Sequence, residues 1–364
     1  MTLTPVSPFP ESGPLLEVEG LQVDFPTADG VVHAVRGIEI SIEPGQVLGV
    51  VGESGSGKSV TALSLMGLLP RQARTTGSVR INGREIVGAR EKDLTAVRGR
   101  VVSMIFQDPM TSLNPVYSVG WQIAEAILAH QKIDKEKAFA EAVRLLEMVG
   151  IPNARDRARD YPHQFSGGMR QRVVIAIAMA NDPELILADE PTTALDVTVQ
   201  AQVLEALRTA LTETHAALIL ITHDLGVIAG LAHEVAVMYA GRIVEHGPVD
   251  EIFYRPAMPY TIGLLGSLPR LDSKGTERLR PIPGSPPSLR GEVTGCPFAP
   301  RCPMRVPEVC DVEEPSLRQA GPQEAGTHVA ACHFADQVVS EATGPLFAAT
   351  SADLSDPVAE GDLP

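Results

Sequence analysis

Between residue 15 and about residue 102, short runs of β-branched and apolar residues alternate with turn signals at Asp29-Gly30, Pro44-Gly45 and Asn82-Gly83. That pattern predicts strands joined by tight turns. One stretch departs from it: residues 46–51 (QVLGVV) read as a buried strand, and residues 59–69 as the helix it feeds. From about 109 to 161 the spacing turns helical. Apolar residues three and four apart over 138–149 predict an amphipathic helix. Residues 185–189 and 217–222 are short apolar runs that end in polar residues, as buried parallel strands do. A helix predicted over 197–211 joins them into a βαβ unit. The expected fold class is therefore α/β, with a mostly parallel sheet that receives ligands at its carboxyl edge.

Beyond about residue 250 helical periodicity fades and proline becomes frequent. At 364 residues the chain is long for one core. The expected division is a disordered stretch over 1–14, a main domain over 15–250 with a helical subdomain at about 109–165, a small second domain over 251–336, and a disordered acidic tail over 337–364. The N-terminus lacks a basic region followed by an apolar one, and no run of 18 apolar residues occurs. A soluble cytoplasmic chain is expected, with any membrane role exercised through a partner. The formal net charge of −15 argues against a nucleic-acid-binding surface as the main function.

Three motifs carry chemistry. Residues 52–59 (GESGSGKS) fit G-x-x-x-x-G-K-[ST], a loop whose backbone N–H groups cradle phosphates. Gly52, Gly55 and Gly57 let the backbone approach phosphate oxygens, with Ser54 and Ser56 between them. The following helix aims its N-terminus at the same anion. Lys58 would neutralise phosphate charge and Ser59 would bind Mg²⁺ through its hydroxyl. Residues 185–190 (LILADE) deliver Asp189 to the Mg²⁺ shell and Glu190 to the attacking water. Residues 165–172 (FSGGMRQR) supply an SGG turn. His223 directly follows the strand ALILIT, and Gln107 lies in an IFQDP turn. Either side chain alone is as consistent with a structural role as with a catalytic one.

Taken together these residues resemble the ABC-type ATPase family. The resemblance covers about 15–250 and implies a RecA-like P-loop core, an antiparallel β-subdomain and a helical signature subdomain. Gly52 to Ser59 match its Walker A loop and Gln107 its Q-loop, a further Mg²⁺ contact. Ser166, Gly167, Gly168 and Met169 match its signature, Asp189 and Glu190 its Walker B pair, 194–196 its D-loop, and His223 its switch histidine. Phe25 stands where the family stacks an aromatic ring on adenine. The signature here is FSGGM where the family more often has LSGGQ, and Thr193 precedes the D-loop where Ser is common. In this family the signature of one subunit completes the ATP site of another, which implies an ATP-sandwich dimer.

Residues 105–123, 165–180 and 189–202 look like the ATPase subunits of dipeptide and oligopeptide importers. RPAMPYT (255–261), IPGSPPSL (282–289) and the cysteine segment resemble their C-terminal extension, with Met258 where His is usual. That likeness implies two transmembrane permease subunits, a second and paralogous ATPase, an extracytoplasmic solute-binding protein, and a place on the cytoplasmic face of the membrane. Nickel and oligosaccharide systems use the same subfamily. A soluble ABC ATPase of DNA repair or translation is the rival reading.

The four cysteines, Cys296, Cys302, Cys310 and Cys332, fall in the last quarter with spacing C-x5-C-x7-C-x21-C. Cytosolic thiols stay reduced, which leaves a metal site or inert thiols. Four thiolates fit Zn²⁺ or an iron–sulfur cluster, and no C-x2-C knuckle is present. By the same resemblance some importer ATPases carry a [4Fe-4S] cluster at matching cysteines. Cluster, Zn²⁺ and empty thiols all stay open, with His328 and His333 as substitute ligands.

Overall fold

The computed structural model describes residues 13–193, 195–267, 282–291, 293–321 and 328–341. The expected disorder at 1–12, most of the acidic tail (342–364), and Ala194 of the D-loop lie outside the described residues. A helix, Ala335–Glu341, begins at the end of the expected second domain and runs into the stretch expected to be a disordered tail from residue 337.

Among the described residues twelve strands make two sheets. β1 (Leu16–Thr27), β2 (Gly30–Ile42), β4 (Arg74–Ile81) and β5 (Arg84–Glu85) form an antiparallel sheet in the order β2-β1-β4-β5. Thr27 pairs with Gly30 at the tip of the first hairpin, and the Thr27 hydroxyl closes the turn by donating to the Gly30 carbonyl at 2.7 Å.

The second sheet runs β11-β12-β10-β9-β3-β8-β7-β6. Its strands are β3 (Val47–Val51), β6 (Val102–Ile105), β7 (Leu185–Asp189), β8 (Ala217–Ile221), β9 (Glu234–Tyr239), β10 (Arg242–Pro248), β11 (Arg318–Gln319) and β12 (Val329–Ala330). From β9 to β6 every pairing is parallel. All five residues of β3, β7 and β8 are buried, because each face of the sheet is covered. Leu48 and Val50, Leu185 and Leu187, Ile219 and Ile221 enter the core shared with the antiparallel sheet. Val47 and Val51, Ile186 and Ala188, Leu218 and Leu220 enter the core beneath the helices. This period-two division explains why these strands read as unbroken apolar runs.

The helices sit where the periodicity places them. Lys58–Leu65 follows the glycine-rich loop, Lys135–Met148 buries Ala138, Ala142, Leu145 and Leu146, and Val197–Thr214 buries Val203, Ala206, Leu207 and Ala210. Asp134 and Asp196 cap the last two by accepting from backbone amides three residues on. The proline-rich segment beyond residue 250 adds strands β12 and β11 to the edge of the main sheet. Phe298 and Ala331 bury themselves in the main core. Among the described residues no helix is long and apolar enough to cross a membrane.

Candidate functional site

Neighbouring strands deliver the predicted residues to one edge. In the spatial order β3-β8-β7-β6, the carboxyl ends lead into the glycine-rich loop, His223, the Asp189–Glu190 pair and Gln107. Adjacent strands are about 4.8 Å apart, so residues as distant in sequence as Lys58 and His223 share one crevice.

In the loop, Gly52 and Gly57 have φ of 153° and 108°. A Cβ there would stand 2.2 Å from the Met238 carbonyl oxygen and 2.6 Å from that of Ala34. Only glycine fits either position. The loop hands over to helix Lys58–Leu65, whose first-turn amides face the loop concavity, while Ser54 and Gly55 are exposed on its rim and Ser56 is buried. The Lys58 ammonium donates to the carbonyls of Gly52 (2.7 Å) and Glu53 (2.9 Å), and lies 3.4 Å from Ser56 Oγ. Burial pulls its pKa below the ordinary lysine value, opposed by Glu190, Asp189 and Glu53.

Ser59 Oγ donates to Asp189 Oδ1 at 3.1 Å. Burial pushes the Asp189 carboxyl upward; the Ser59 hydrogen bond resists this and the Glu190 charge adds to it. Glu190 has φ of 47°, a left-handed conformation that costs about 1–3 kcal/mol when held by its surroundings. Its backbone amide donates to the Ile221 carbonyl at 2.8 Å. Its Oε2 accepts from Thr193 Oγ1 at 2.7 Å and Gln107 Nε2 at 3.2 Å, with His223 Nδ1 at 3.4 Å. Its Oε1 takes part in none of these contacts. His223 remains largely exposed, at 63 % of its side chain. Ser59, Asp189 and Gln107 thus bring oxygen donors of the kind Mg²⁺ takes beside a phosphate cradle.

The signature residues are held elsewhere. Ser166 caps helix Gly167–Ala178 by accepting from the Met169 amide at 3.4 Å. A Cβ on Gly168 would lie 2.1 Å from Val199 Cγ1, whereas one on Gly167 would meet only Leu195 Cδ2, at 3.6 Å. Ser166 and Gly167 are exposed and Gly168 is buried. Phe25, partly buried, pairs with Val32 in the first hairpin and packs on the core between the two sheets.

Cys296, Cys302 and Cys332 are partly buried, Cys310 is buried, and all four are free thiols. They lie close enough to act on one another. Burial pushes Cys302 up to about 11 and Cys332 up to about 12; Cys296 and Cys310 add to both shifts, and Cys302 adds to that of Cys332. The Cys332 sulfur accepts a hydrogen bond from the Phe334 backbone amide at 3.4 Å. Even so, among the described residues no three His, Cys, Asp or Glu side chains are arranged to hold a metal ion. The two histidines expected as substitutes are engaged elsewhere. His328 Nε2 lies 2.8 Å from buried Glu245, and His333 Nε2 donates to the Glu313 carbonyl at 2.9 Å.

Sequence reasoning missed Thr193 as a partner of Glu190, and it missed Glu53. The Glu53 carboxylate accepts two bonds from Arg301, at 2.6 and 2.9 Å, across 248 positions of chain. No local pattern signals such a pair.

Comparison with known proteins places these features in a family. The ABC transporter family model matches residues 35–193, and that of the oligopeptide/dipeptide transporter C-terminal region matches 244–310. The oligopeptide transport ATP-binding protein OppD of Salmonella typhimurium is 54% identical over 301 residues, 83% of this chain and 89% of that protein. The dipeptide transport ATP-binding protein DppD of Bacillus subtilis is 49% identical over 325 residues, 89% of this chain and 95% of that protein. OppD of Mycobacterium tuberculosis is 52% identical over 335 residues; that match takes in 92% of this chain but 54% of the relative, so the chain spans about half its length. Among solved structures, the ATP-binding cassette MJ0796 bound to ADP and Pi superposes with a TM-score of 0.58 at 24% identity, covering 64% of this chain and 98% of that one. The cbiO1 protein of Clostridium perfringens, part of the ABC transporter complex cbiONQ, superposes with a TM-score of 0.57 at 26% identity, over 66% of this chain and 91% of that one. With the phosphate loop, the acidic pair and the signature turn all present on this fold, the chain belongs to the ABC transporter ATP-binding proteins, in their oligopeptide/dipeptide branch.

Proposed function

We propose that the chain is the ATP-hydrolysing subunit of an importer of peptides of the dipeptide/oligopeptide class. One observation carries the reading: Lys58, His223, Asp189–Glu190 and Gln107 meet at one sheet edge, on a chain whose C-terminal region matches that of peptide transporters. The amides of Gly52, Ser54, Gly55, Ser56 and Gly57, with the Lys58 ammonium, take the phosphates, and Phe25 stacks on adenine. Ser59, Asp189 and Gln107 would hold Mg²⁺, which when bound neutralises charge on the transferring phosphoryl group. The donor set fits, because a divalent cation offsets the burial and the Glu190 charge that otherwise push the Asp189 carboxyl upward. Glu190 Oε1 orients the attacking water and takes its proton as the new P–O bond forms and ADP departs. Thr193, Gln107 and His223 hold the opposite oxygen, so the carboxylate presents one edge.

Ser166, Gly167, Gly168 and Met169 serve the nucleotide of a second, paralogous ATPase. The exposed edge at Ser166 and Gly167 supports this. ATP closes the pair, and the helices around 109–161 pass the motion to two permease subunits at the cytoplasmic face of the membrane. A solute-binding protein delivers the cargo. A [4Fe-4S] cluster, with Zn²⁺ the alternative, would be held by Cys296, Cys302, Cys310 and Cys332 only if the four thiols drew closer than they stand here, where their arrangement fits no metal ion. The closeness of the thiols to one another and the Phe334 amide that donates to the Cys332 sulfur support this. No step of ATP hydrolysis passes through that site.

The test is to trap tagged Glu190→Gln with ATP and identify what co-purifies from detergent-solubilised membranes. Two multi-span permeases, a second ATPase and a peptide-loaded binding protein are expected. Recovery with nucleic-acid or ribosomal partners, or with a binding protein loaded with nickel or an oligosaccharide, would overturn the peptide reading.

A further inference from the structure

Glu53 lies in the glycine-rich loop with its amide, its carbonyl and its carboxylate all engaged. Its backbone N–H donates to the hydroxyl of Tyr260 at 2.8 Å. Its carbonyl accepts from Lys58 Nζ at 2.9 Å and from the Ser56 amide at 3.2 Å. Its carboxylate receives the two-pronged bond from Arg301. Two of these anchors, Tyr260 and Arg301, lie outside the ATPase core, in the C-terminal extension.

Arg301 is built to stay where it is. Its side chain is 5 % exposed. Its Nε donates to the Pro283 carbonyl at 2.8 Å, and its two Nη groups reach Tyr239 Oη at 3.3 Å and the Ile282 carbonyl at 3.4 Å besides Glu53. Tyr239, Tyr260 and Phe298 form a ring cluster beneath it, with centroids 4.5 to 5.4 Å apart, and the guanidinium lies 5.9 Å from two of those centroids. A planar fork with every arm engaged fixes a carboxylate far better than a lysine would. The stretch that Arg301 grips, beginning at Ile282 and Pro283, ends at the first hairpin. There the Leu289 carbonyl accepts from the His33 amide at 2.9 Å, Arg290 bridges to Val32, and its guanidinium lies 3.5 Å from Asp29. The extension therefore holds the phosphate loop at one end and the hairpin that carries Phe25 at the other.

The geometry points to Arg301 as a positioning residue for nucleotide binding, acting through Glu53 and seconded by Tyr260, so that the C-terminal extension sets the shape of the phosphate loop and is in turn clamped when nucleotide binds. The extension thereby becomes a second determinant of ATP affinity. Arg301 lies between Cys296 and Cys302 in the chain, which gives any event at the thiols a short path to the loop. The inference rests on the ATP-site reading above but needs neither the peptide cargo nor a bound cluster.

Coupling between two sites is reciprocal and commonly amounts to about 5- to 150-fold in affinity. Hydrogen exchange on the full-length wild-type chain, with and without MgATP, should show added protection at residues 296–302 and at 282–290, remote from the nucleotide itself. Titration with a fluorescent ATP analogue should show Arg301→Met and Glu53→Gln each weakening binding roughly tenfold, with the double variant no worse than either single one. Arg301→Lys should recover little of the loss. A residue that merely holds the fold would lower thermal stability in these variants while leaving nucleotide affinity within twofold, and the two losses would add; that result overturns the proposal. So does unchanged exchange at 296–302 in a wild-type chain that binds MgATP. A wild-type chain that bound no MgATP would end the ATP-site reading and this proposal together.

Discussion

Adding a methyl group at Gly168 separates packing from nucleotide contact within the signature. A Cβ there would lie 2.1 Å from Val199 Cγ1 and 3.5 Å from Val199 Cβ. Carbon atoms rest about 3.5–4.0 Å apart, so the first contact is roughly 1.5 Å too short. Valine in a helix keeps one χ1 rotamer about nine times in ten, so Val199 cannot easily turn aside. The helices Gly167–Ala178 and Val197–Thr214 must then separate, and overpacking of this kind costs about 1–3 kcal/mol. Chemical unfolding of Gly168→Ala, Val199→Ala and the double variant measures the term as a cycle. In the Val199→Ala background the clash is gone, and Gly168→Ala should be neutral or stabilising by up to about 1 kcal/mol through helix propensity.

Because that Cβ points at Val199, the outward edge of the signature is untouched, and ATP turnover of the assembled complex should recover with stability. Gly167→Ala should do the opposite. Its Cβ makes only an ordinary 3.6 Å contact with Leu195, so stability should hold while turnover falls, if the exposed edge serves the partner's nucleotide as proposed. Equal destabilisation by Gly168→Ala in both backgrounds would refute the packing argument. Full turnover in Gly167→Ala would refute the assigned role of that edge.

Glu190→Gln should retain MgATP binding and lose turnover by about 10²- to 10⁴-fold, the usual contribution of a general base; single-turnover hydrolysis in the assembled complex measures it. Asp189→Asn should raise the melting temperature in metal-free buffer. Burial raises the carboxyl pKa in the folded state, so between the unfolded and folded pKa values the folded chain binds more protons and stability falls as pH rises. The advantage of Asp189→Asn is therefore full above the folded pKa and should shrink as pH drops through it; an advantage independent of pH would point to another cause. Anaerobic purification should give a brown chain carrying about four iron atoms, lost in Cys302→Ser. One equivalent of Zn²⁺ would select the alternative, and a metal-free chain would sink both.

Much of the site was legible because its parts end apolar strands. Buried parallel strands hold no charged residue before their ends here, so Asp189, His223 and the start of the glycine-rich loop announce themselves by position. Gln107 comes two residues after β6 for the same reason. What stayed hidden depends on contacts across distant chain. Nothing around Glu53 or Arg301 signals that they meet, and the two-residue strands β11 and β12 are too short to leave a periodic trace. The left-handed backbone of Glu190 is equally silent, since neither glycine nor asparagine marks it. His328 read as a spare thiol-site ligand because it neighbours Cys332 in sequence; in space it belongs to Glu245.

Proteoliposomes containing the co-purified complex decide whether this crevice hydrolyses ATP to move peptides inward. Uptake of a labelled oligopeptide and phosphate release should be measured on the same vesicles, with wild-type chain and with Glu190→Gln. Peptide and its binding protein should stimulate phosphate release, and both signals should vanish together in Glu190→Gln. Phosphate release indifferent to peptide, or peptide uptake undiminished in Glu190→Gln, would contradict ATP-driven peptide import.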